Sequence, residues 1–580
     1  MRVSGRKLIY GDTLMLTTLK KNLNTSQFVR WFDAWGLFVA SLVLVAFIPV
    51  YPKLPLFDII PGYIVRVRIE DLLVFSTILL YIIQLQRKKI SLKSPITPWI
   101  GWYTVAGFCS LVSGLLIVGS IPIEPLHIAK SFLHYLRYIE YFSLFFILFT
   151  AVKSKLHAKI LTGILLAGLL IIGMYGVGQR YWYWPVYSTM NREFSKGIRL
   201  YLTEHARVQS TFGGHYDLAA YLVIMLPIVL MLALLSKKRS ISLALWALFT
   251  LGVWLITVSA SRTSFAAFVV CAVLAVGLSS LRFSSIRERI MYSSLKGMFV
   301  LSIIGVMFWS FGADIRERLL QTLAGYPVAH GVYTSLANYT TETGYAALNL
   351  LPETLKPTAP PVDSISTEEM EAMVSSDQQP TTSKPGSTAP RPTDVYSDIP
   401  DIVAQATISA TGTTELIYVE QPRTYSEAAL KHGLSLAIRL DTLWPRALQG
   451  FYNDPLFGSG YATLTKATVT QFTEAESTDN NYLRTLGETG LFGFITFYGA
   501  VLTSAFFAWK LAMSQKLKEN GEFSTALGFG FICATVGLLL NAVYIDVFAS
   551  SKVAFVYWAF AGIVIALWRL EQKSIKDTSQ

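Results

Sequence analysis

Along the chain, apolar runs long enough to cross a bilayer alternate with short polar intervals. Runs of roughly 17 to 25 residues, the length a helix needs to traverse the hydrocarbon core, occur near 35–50, 71–86, 98–118, 134–151, 158–178, 216–235, 241–258, 263–281, 296–312, 488–509, 524–545 and 552–568. The pattern therefore predicts an all-α, polytopic membrane bundle of about twelve spans. The expected division is a cytoplasmic segment over 1–34, spans one to nine over 35–312, a large extracytoplasmic helical loop over 313–487, spans ten to twelve over 488–568, and a tail over 569–580.

Composition agrees with this class. Hydrophobic residues make up 53% of the 580 and charged residues only 15%, with a mean hydropathy of +0.46. The net charge of +12 does not indicate a nucleic-acid partner, because the basic residues lie in short runs between apolar segments. Arg87 to Lys89, Lys153 to Lys159, Lys237 to Arg239, Arg282 to Arg289 and Lys510 to Lys518 fall in alternate loops. By the positive-inside rule all would be cytoplasmic, as would both termini, and an even span count follows. No cleavable signal peptide is evident, since the first apolar run begins some 35 residues in without a cleavage pattern. The three cysteines sit in apolar runs and no His or Cys spacing matches a metal site, so neither a metal nor another cofactor is expected.

With that topology, 179–215, the "SASRTS" turn and the long loop lie outside. The aromatic run Arg180 to Tyr187 reads as an interfacial belt. Residues 351–405, rich in Pro, Ser and Thr, are expected to form a disordered insert, having too little apolar surface to offset ordering entropy. The flanks "IRERLLQTLAGY" and "SEAALKHGLSLAIRLDTLWPRALQGFYN" show apolar spacing of three and four, hence amphipathic helices, which would wall one side of a cavity at the outer surface.

Several charges stand without a topological reason. Arg207 precedes the sixth span beside Gly213 and Gly214, where backbone amides could approach a ligand. Arg262 lies between two apolar spans with Ser259, Ser261, Thr263 and Ser264 around it and no acid. An arginine near the hydrocarbon costs about 2.5 to 3.5 kcal/mol on insertion scales and is a functional hypothesis by default. An anionic ligand is its expected partner, and snorkelling to lipid phosphate the bland alternative. Arg66 and Arg68, by contrast, have Glu70 and Asp71 nearby, and Arg137 has Glu140 at helical spacing, so these read as structural pairs.

Four stretches, in order, resemble the O-antigen ligase and polymerase superfamily of membrane glycosyltransferases. They are "RVQSTFGGHYDLAAYL" (207–222), "SASRTS" (259–264), "RLDTLWPRALQGFYNDPLFGSGYATL" (439–464) and "DNNYLRTLGETGLFG" (479–493). The last is similar to that family's "HNxYLxxLxExGxxG" signature. The resemblance covers most of the chain from residue 200 onward. It implies transfer of a glycan from a polyprenyl-diphosphate carrier to a sugar hydroxyl on a glycan or lipid acceptor, at the outer face of a bacterial cytoplasmic membrane. Arg207 and Arg262 would grip the diphosphate and stabilise the leaving group without a metal, with Arg439 as a third cation. Gly213, Gly214, His215, Asn480 and Asn481 complete the implied substrate-binding set.

Where the ligases of that family carry a histidine, this chain has Asp479. An unperturbed Asp, near pKa ~3.9, is a weak base unless burial raises it. Asp479 is thus either the base that activates the acceptor hydroxyl or the N-cap of the tenth span, while Glu488 would hold Arg484 one turn away. The departure from histidine favours a polymerase, or a transferase with another acceptor, over a lipid A ligase. The rival from another class is a lipid-linked glycan flippase or other transporter, which predicts internal repeat symmetry; none is seen. A membrane scaffold would explain the helices but not Arg262.

Overall fold

The computed structural model describes residues 27–60, 66–190, 194–203, 206–323, 401–408, 414–421, 426–427, 430, 434–464, 477–515 and 522–579. The N-terminal residues 1–26 and most of the expected insert, 351–400, lie outside the described residues. The protein is an all-α, multi-pass membrane bundle with, among the described residues, twelve helices long and apolar enough to cross a bilayer. They are α1 (Gln27–Val50), α2 (Ile69–Gln86), α3 (Thr97–Val112, extended by a π-turn over Ser113–Ile117), α4 (Pro125–Ala151), α5 (Lys155–Tyr181), α6 (His215–Leu235), α7 (Arg239–Val258), α8 (Arg262–Ser280) and α9 (Ile286–Phe311), then α11 (Asn481–Gln515), α12 (Glu522–Asn541) and α13 (Ser551–Ser579). The shorter α10 (Trp444–Asn453) lies against α11.

Local chemistry sets the helix starts. Pro125 opens α4, where its missing N–H has no partner to lose. Ser154 caps α5 by accepting the His157 N–H at 3.2 Å, and Asp71 accepts the Arg68 N–H at 2.9 Å to cap α2. Four spans begin well before the apolar runs that announce them: α1 at Gln27, α4 at Pro125, α9 at Ile286 and α11 at Asn481. Their first turns carry polar side chains, which hydropathy counts against a span; α4 and α11 direct theirs into the protein, as with Lys130 and Arg484, whereas Arg287 and Glu288 of α9 stay exposed.

The most central span is α6, apolar all round its circumference, with 94% of its core window buried, while α9 at the periphery has 11%. Such uniform hydrophobicity marks a helix surrounded by protein rather than a lipid-facing one. Packing rather than water exclusion drives helix association in lipid, and small residues permit it. A Cβ at Gly530 of α12 would lie 2.8 Å from the Ile228 Cα of α6, and one at Gly562 of α13 would lie 2.7 Å from the Phe145 carbonyl of α4.

Alternating spans place the starts of α1, α3, α5 and α7 at one end of the bundle. There Arg87 pairs with Asp33 at 2.7 Å and Lys153 donates to the Ala34 carbonyl at 2.9 Å. The starts of α2, α4, α6, α8, α11 and α13 lie at the other. Between α1 and α2, a short antiparallel pair, β1 (Pro55–Phe57) and β2 (Val67–Arg68), closes the connection.

Residues 316–442 form a separate unit. It contains an antiparallel hairpin of β3 (Asp401–Ile408) and β4 (Thr414–Gln421), paired from Asp401 with Gln421 to Ile408 with Thr414. Asp401–Gln405, the last residues of the expected insert, thus belong to a strand. The apolar alternation that makes it one, Ile402, Ala404, Ala406 and Ile408, begins within the stretch whose overall composition masks it.

Candidate functional site

The signature at 479–493 and the turn at 454–464 are two halves of one construction. Helix α11 is interrupted at Gly490, whose φ of 63° and ψ of −168° lie in a region essentially restricted to glycine. A broken helix leaves carbonyls and N–H groups without intrahelical partners, and the 454–464 turn supplies them. Ser459 and Gly460 donate their N–H groups to the carbonyls of Gly487 and Glu488 at 2.9 and 3.1 Å, and Leu491 and Phe492 donate to Pro455 and Leu456 at 2.9 and 3.1 Å. Asp454 shapes the turn by accepting the Leu456 and Phe457 N–H groups, each at 3.1 Å, and Ser113 of the α3 π-turn donates to it at 2.5 Å. Gly458 and Gly460 take positive φ, 74° and 95°.

The first half of α11 is held by an acid from another connection. Asp546, between α12 and α13, accepts the N–H of Thr478 at 2.9 Å and of Asn480 at 3.0 Å, and Nη1 of Arg484 at 3.0 Å. Arg484 also pairs with Glu488 at 3.4 Å, as the spacing predicts, and Glu488 accepts the Ala462 N–H at 3.0 Å. Arg484, Glu488 and Asp546 are all buried, so the single guanidinium between the two carboxylates offsets part of a charge that water cannot reach.

This geometry decides the role of the polar head. The N-cap of α11 is Asn480, whose Oδ1 accepts the Leu483 N–H at 3.0 Å, not Asp479. Asp479 stands one residue before it in a left-handed conformation, φ 50°, with Oδ1 2.8 Å from the Ser477 hydroxyl. Asn481, expected among the ligand contacts, is only 1% exposed. Its Nδ2 donates to Tyr498 Oη at 3.0 Å and its Oδ1 accepts the Phe548 N–H at 3.2 Å. Both asparagines are therefore engaged in holding the helix start; the sequence distinguishes neither from a surface amide.

Arg207 and Arg262 come to the same end of α7. The Val208 N–H donates to the Val258 carbonyl at 3.3 Å, which lays the 207 segment along the last turn of α7, and Arg262 opens α8 four residues beyond Val258. Arg207 Nη1 bonds His215 Nε2, which must then be an acceptor nitrogen, and lies 3.5 Å from Tyr216 Oη. Both partners are neutral, and among the described residues Arg207 has no carboxylate partner. Two residues into α8, Ser264 exchanges hydrogen bonds with Asn541 at 3.0 and 3.2 Å. The next residue, Ala542, accepts the Asn481 N–H at 2.8 Å. A continuous path of backbone and side-chain bonds thus joins the Arg207 segment, the Arg262 turn and the start of α11.

At Gly213 and Gly214 neighbouring side chains leave little room for a Cβ. A side chain at Gly213 would overlap Thr189 and meet Lys53 at 3.0 Å, and one at Gly214 would meet Met190 at 3.3 Å. Arg439 belongs to the other unit, where its Nη1 donates to Ser435 Oγ at 2.9 Å. Arg66 takes Asp58 as its ion-pair partner at 3.2 Å, Arg68 takes Glu70 at 3.8 Å, and Arg137 takes both Asp71 and Glu140, at 2.7 and 3.2 Å.

No family model and no curated protein matches this chain. The geometry therefore has to carry the functional reading. Two residues central to that geometry escape the sequence pattern: Asp546 and Lys552, in "YIDVFASSKVAF". Their signal was available, since an acid and a lysine flank a turn between two otherwise apolar spans, where buried charge needs a reason. This end of the bundle therefore brings together Arg207, the turn that carries Arg262 and, beside the α11 start, a half-buried carboxylate at Asp479.

Proposed function

We propose that this protein is a membrane glycosyltransferase of the O-antigen ligase and polymerase kind. It moves a glycan from a polyprenyl-diphosphate carrier to a sugar hydroxyl, in a bacterial cytoplasmic membrane, with both termini cytoplasmic and the site facing outward. The observation that carries the reading is Arg207 at the end of α7, held by the neutral His215 and Tyr216 and laid beside the turn from which Arg262 emerges. A cation in a bundle is costly without an opposing charge, and the diphosphate of a lipid carrier supplies two phosphoryl groups at headgroup depth.

In this mechanism Arg207 and Arg262 bind the diphosphate and stabilise the charge that grows on it as the anomeric C–O bond breaks. The acceptor hydroxyl attacks the anomeric carbon and its proton passes to a base, for which Asp479 is the candidate: it is half-buried, precedes the helix cap and does not serve as that cap. The basic runs at the opposite end of the bundle support the orientation.

The test is incubation of the purified protein, in lipid nanodiscs, with a defined polyprenyl-diphosphate oligosaccharide and a glycan acceptor. A product ladder identifies a polymerase and a single addition a ligase. If the donor stays covalently intact but changes leaflet in vesicles, the protein is a flippase and the transferase reading is lost.

A further inference from the structure

Lys552, the second residue of α13, is entirely buried. Its Nζ donates to the carbonyls of Pro49 at 3.1 Å, Tyr51 at 2.7 Å and Thr211 at 2.8 Å, and lies 4.7 Å from the centre of the Phe212 ring. Three acceptors match the three hydrogens of an ammonium, whereas a neutral amine has two. The carbonyls come from two segments, the end of α1 and the segment that begins with Arg207. The same two are tied again by the Thr211 hydroxyl, which donates to the Pro49 carbonyl at 2.8 Å, and Lys53 reaches Asp217 on α6 at 3.2 Å. A buried cation needs compensating charge. Glu70, at the start of α2, is an acid at the same end of the bundle. It is fully buried, and neither of its carboxylate oxygens has a hydrogen-bond partner among the described residues.

We propose that Lys552 is a positioning residue that clamps the segment 207–215 to the end of α1, and so fixes Arg207 where it meets the diphosphate of the lipid-linked donor. The donor part rests on the transferase reading above; the clamp itself does not. Charge-assisted bonds to three carbonyls hold backbone more firmly than an alkyl chain can, and the Phe212 ring adds a cation–π contact. With the ammonium removed, three buried carbonyls lose a donor and the segment loosens, while the Asp546 and Gly490 constructions at α11 keep all their partners.

The experiment compares wild-type protein with Lys552→Met in nanodiscs by hydrogen exchange and by steady-state kinetics. The expected result is faster exchange confined to peptides covering 206–214. It is accompanied by a donor KM raised about tenfold or more, the effect of one to two lost charge-assisted bonds, with acceptor KM unchanged. Exchange unaltered in that segment, exchange accelerated equally across all spans, or donor and acceptor KM rising together would each overturn the proposal. If Lys552→Met does not fold, Lys552→Gln, which retains two amide donors but no charge, is read by the same two measurements and should show exchange over 206–214 and donor KM both raised above wild type; wild-type values for both would overturn the proposal. A wild-type protein inert toward the donor overturns the transferase reading and the donor assignment with it, and the exchange measurement still decides the clamp.

Discussion

The pairing of the 454–464 turn with the break in α11 makes Gly490→Ala the most informative single substitution. Gly490 has φ 63° and ψ −168°, and an added Cβ would lie 2.4 Å from both the carbonyl carbon and oxygen of Leu456 and 2.5 Å from the Phe457 nitrogen. These are backbone atoms of the partner turn, so no side chain can rotate away. Holding a non-glycine residue in this region costs about 1 to 3 kcal/mol. Relieving the overlap displaces the two bonds from Leu491 and Phe492 to the turn, each leaving buried polar groups at about 1 kcal/mol or more. The expected loss is roughly 4 kcal/mol, which for a bundle of this size lowers the thermal transition by about 5 °C or more. The control is Gly163→Ala in α5, where nothing lies within 4 Å of the added Cβ and a helical alanine is no worse than glycine. Thermal unfolding of the two variants in the same detergent, followed by tryptophan fluorescence, provides the comparison. Equal transitions for Gly490→Ala and Gly163→Ala would refute the argument that the two motifs form one strained joint.

Other consequences follow from the same geometry. Asp546→Ala leaves Arg484 with Glu488 alone and removes the acceptor for two N–H groups, so stability should fall by about 3 to 5 kcal/mol, measured by the same thermal assay. Asp546→Asn, which keeps one acceptor oxygen, should fall by less. Arg262→Ala should abolish transfer in the nanodisc assay without reducing the amount of protein in the membrane; near-normal turnover would remove the diphosphate mechanism. His215→Phe should free Arg207 and raise donor KM with acceptor KM unchanged, read from initial rates. If Asp479 is the base, Asp479→Asn, which tolerates the same left-handed backbone, should lower kcat by about 10² to 10⁴ with little loss of thermal stability, because Asn480 and not Asp479 caps the helix.

What the linear pattern determined by itself is the class of the protein and the order of its parts. Lipid leaves no backbone group unsatisfied, so a long apolar run has only helix open to it. Twelve such runs were legible without any knowledge of how they pack. The local ion pairs of Arg137 with Glu140 and of Arg484 with Glu488 were equally legible, because a spacing of three or four residues on one helix already fixes proximity. Hydropathy erred where a helix turns polar residues inward, at the starts of α4 and α11, since averaging along the chain discards the direction in which a side chain points.

The tertiary structure alone decided the roles that depend on distant segments. Asp546 is separated from Arg484 by most of two spans, and Lys552 from Pro49 by nearly the whole chain, so no local rule could pair them. Asn480 rather than Asp479 became the helix cap because Asp546 draws in the Thr478 and Asn480 amides and leaves Asp479 on the left-handed residue between them. Thr189, Lys53 and Met190 come against Gly213 and Gly214, neighbours that no local spacing could place. The physical reason is common to all of these. A sequence specifies which groups need a partner, but in a bundle whose helices can pack in many ways, only the packing determines which partner arrives.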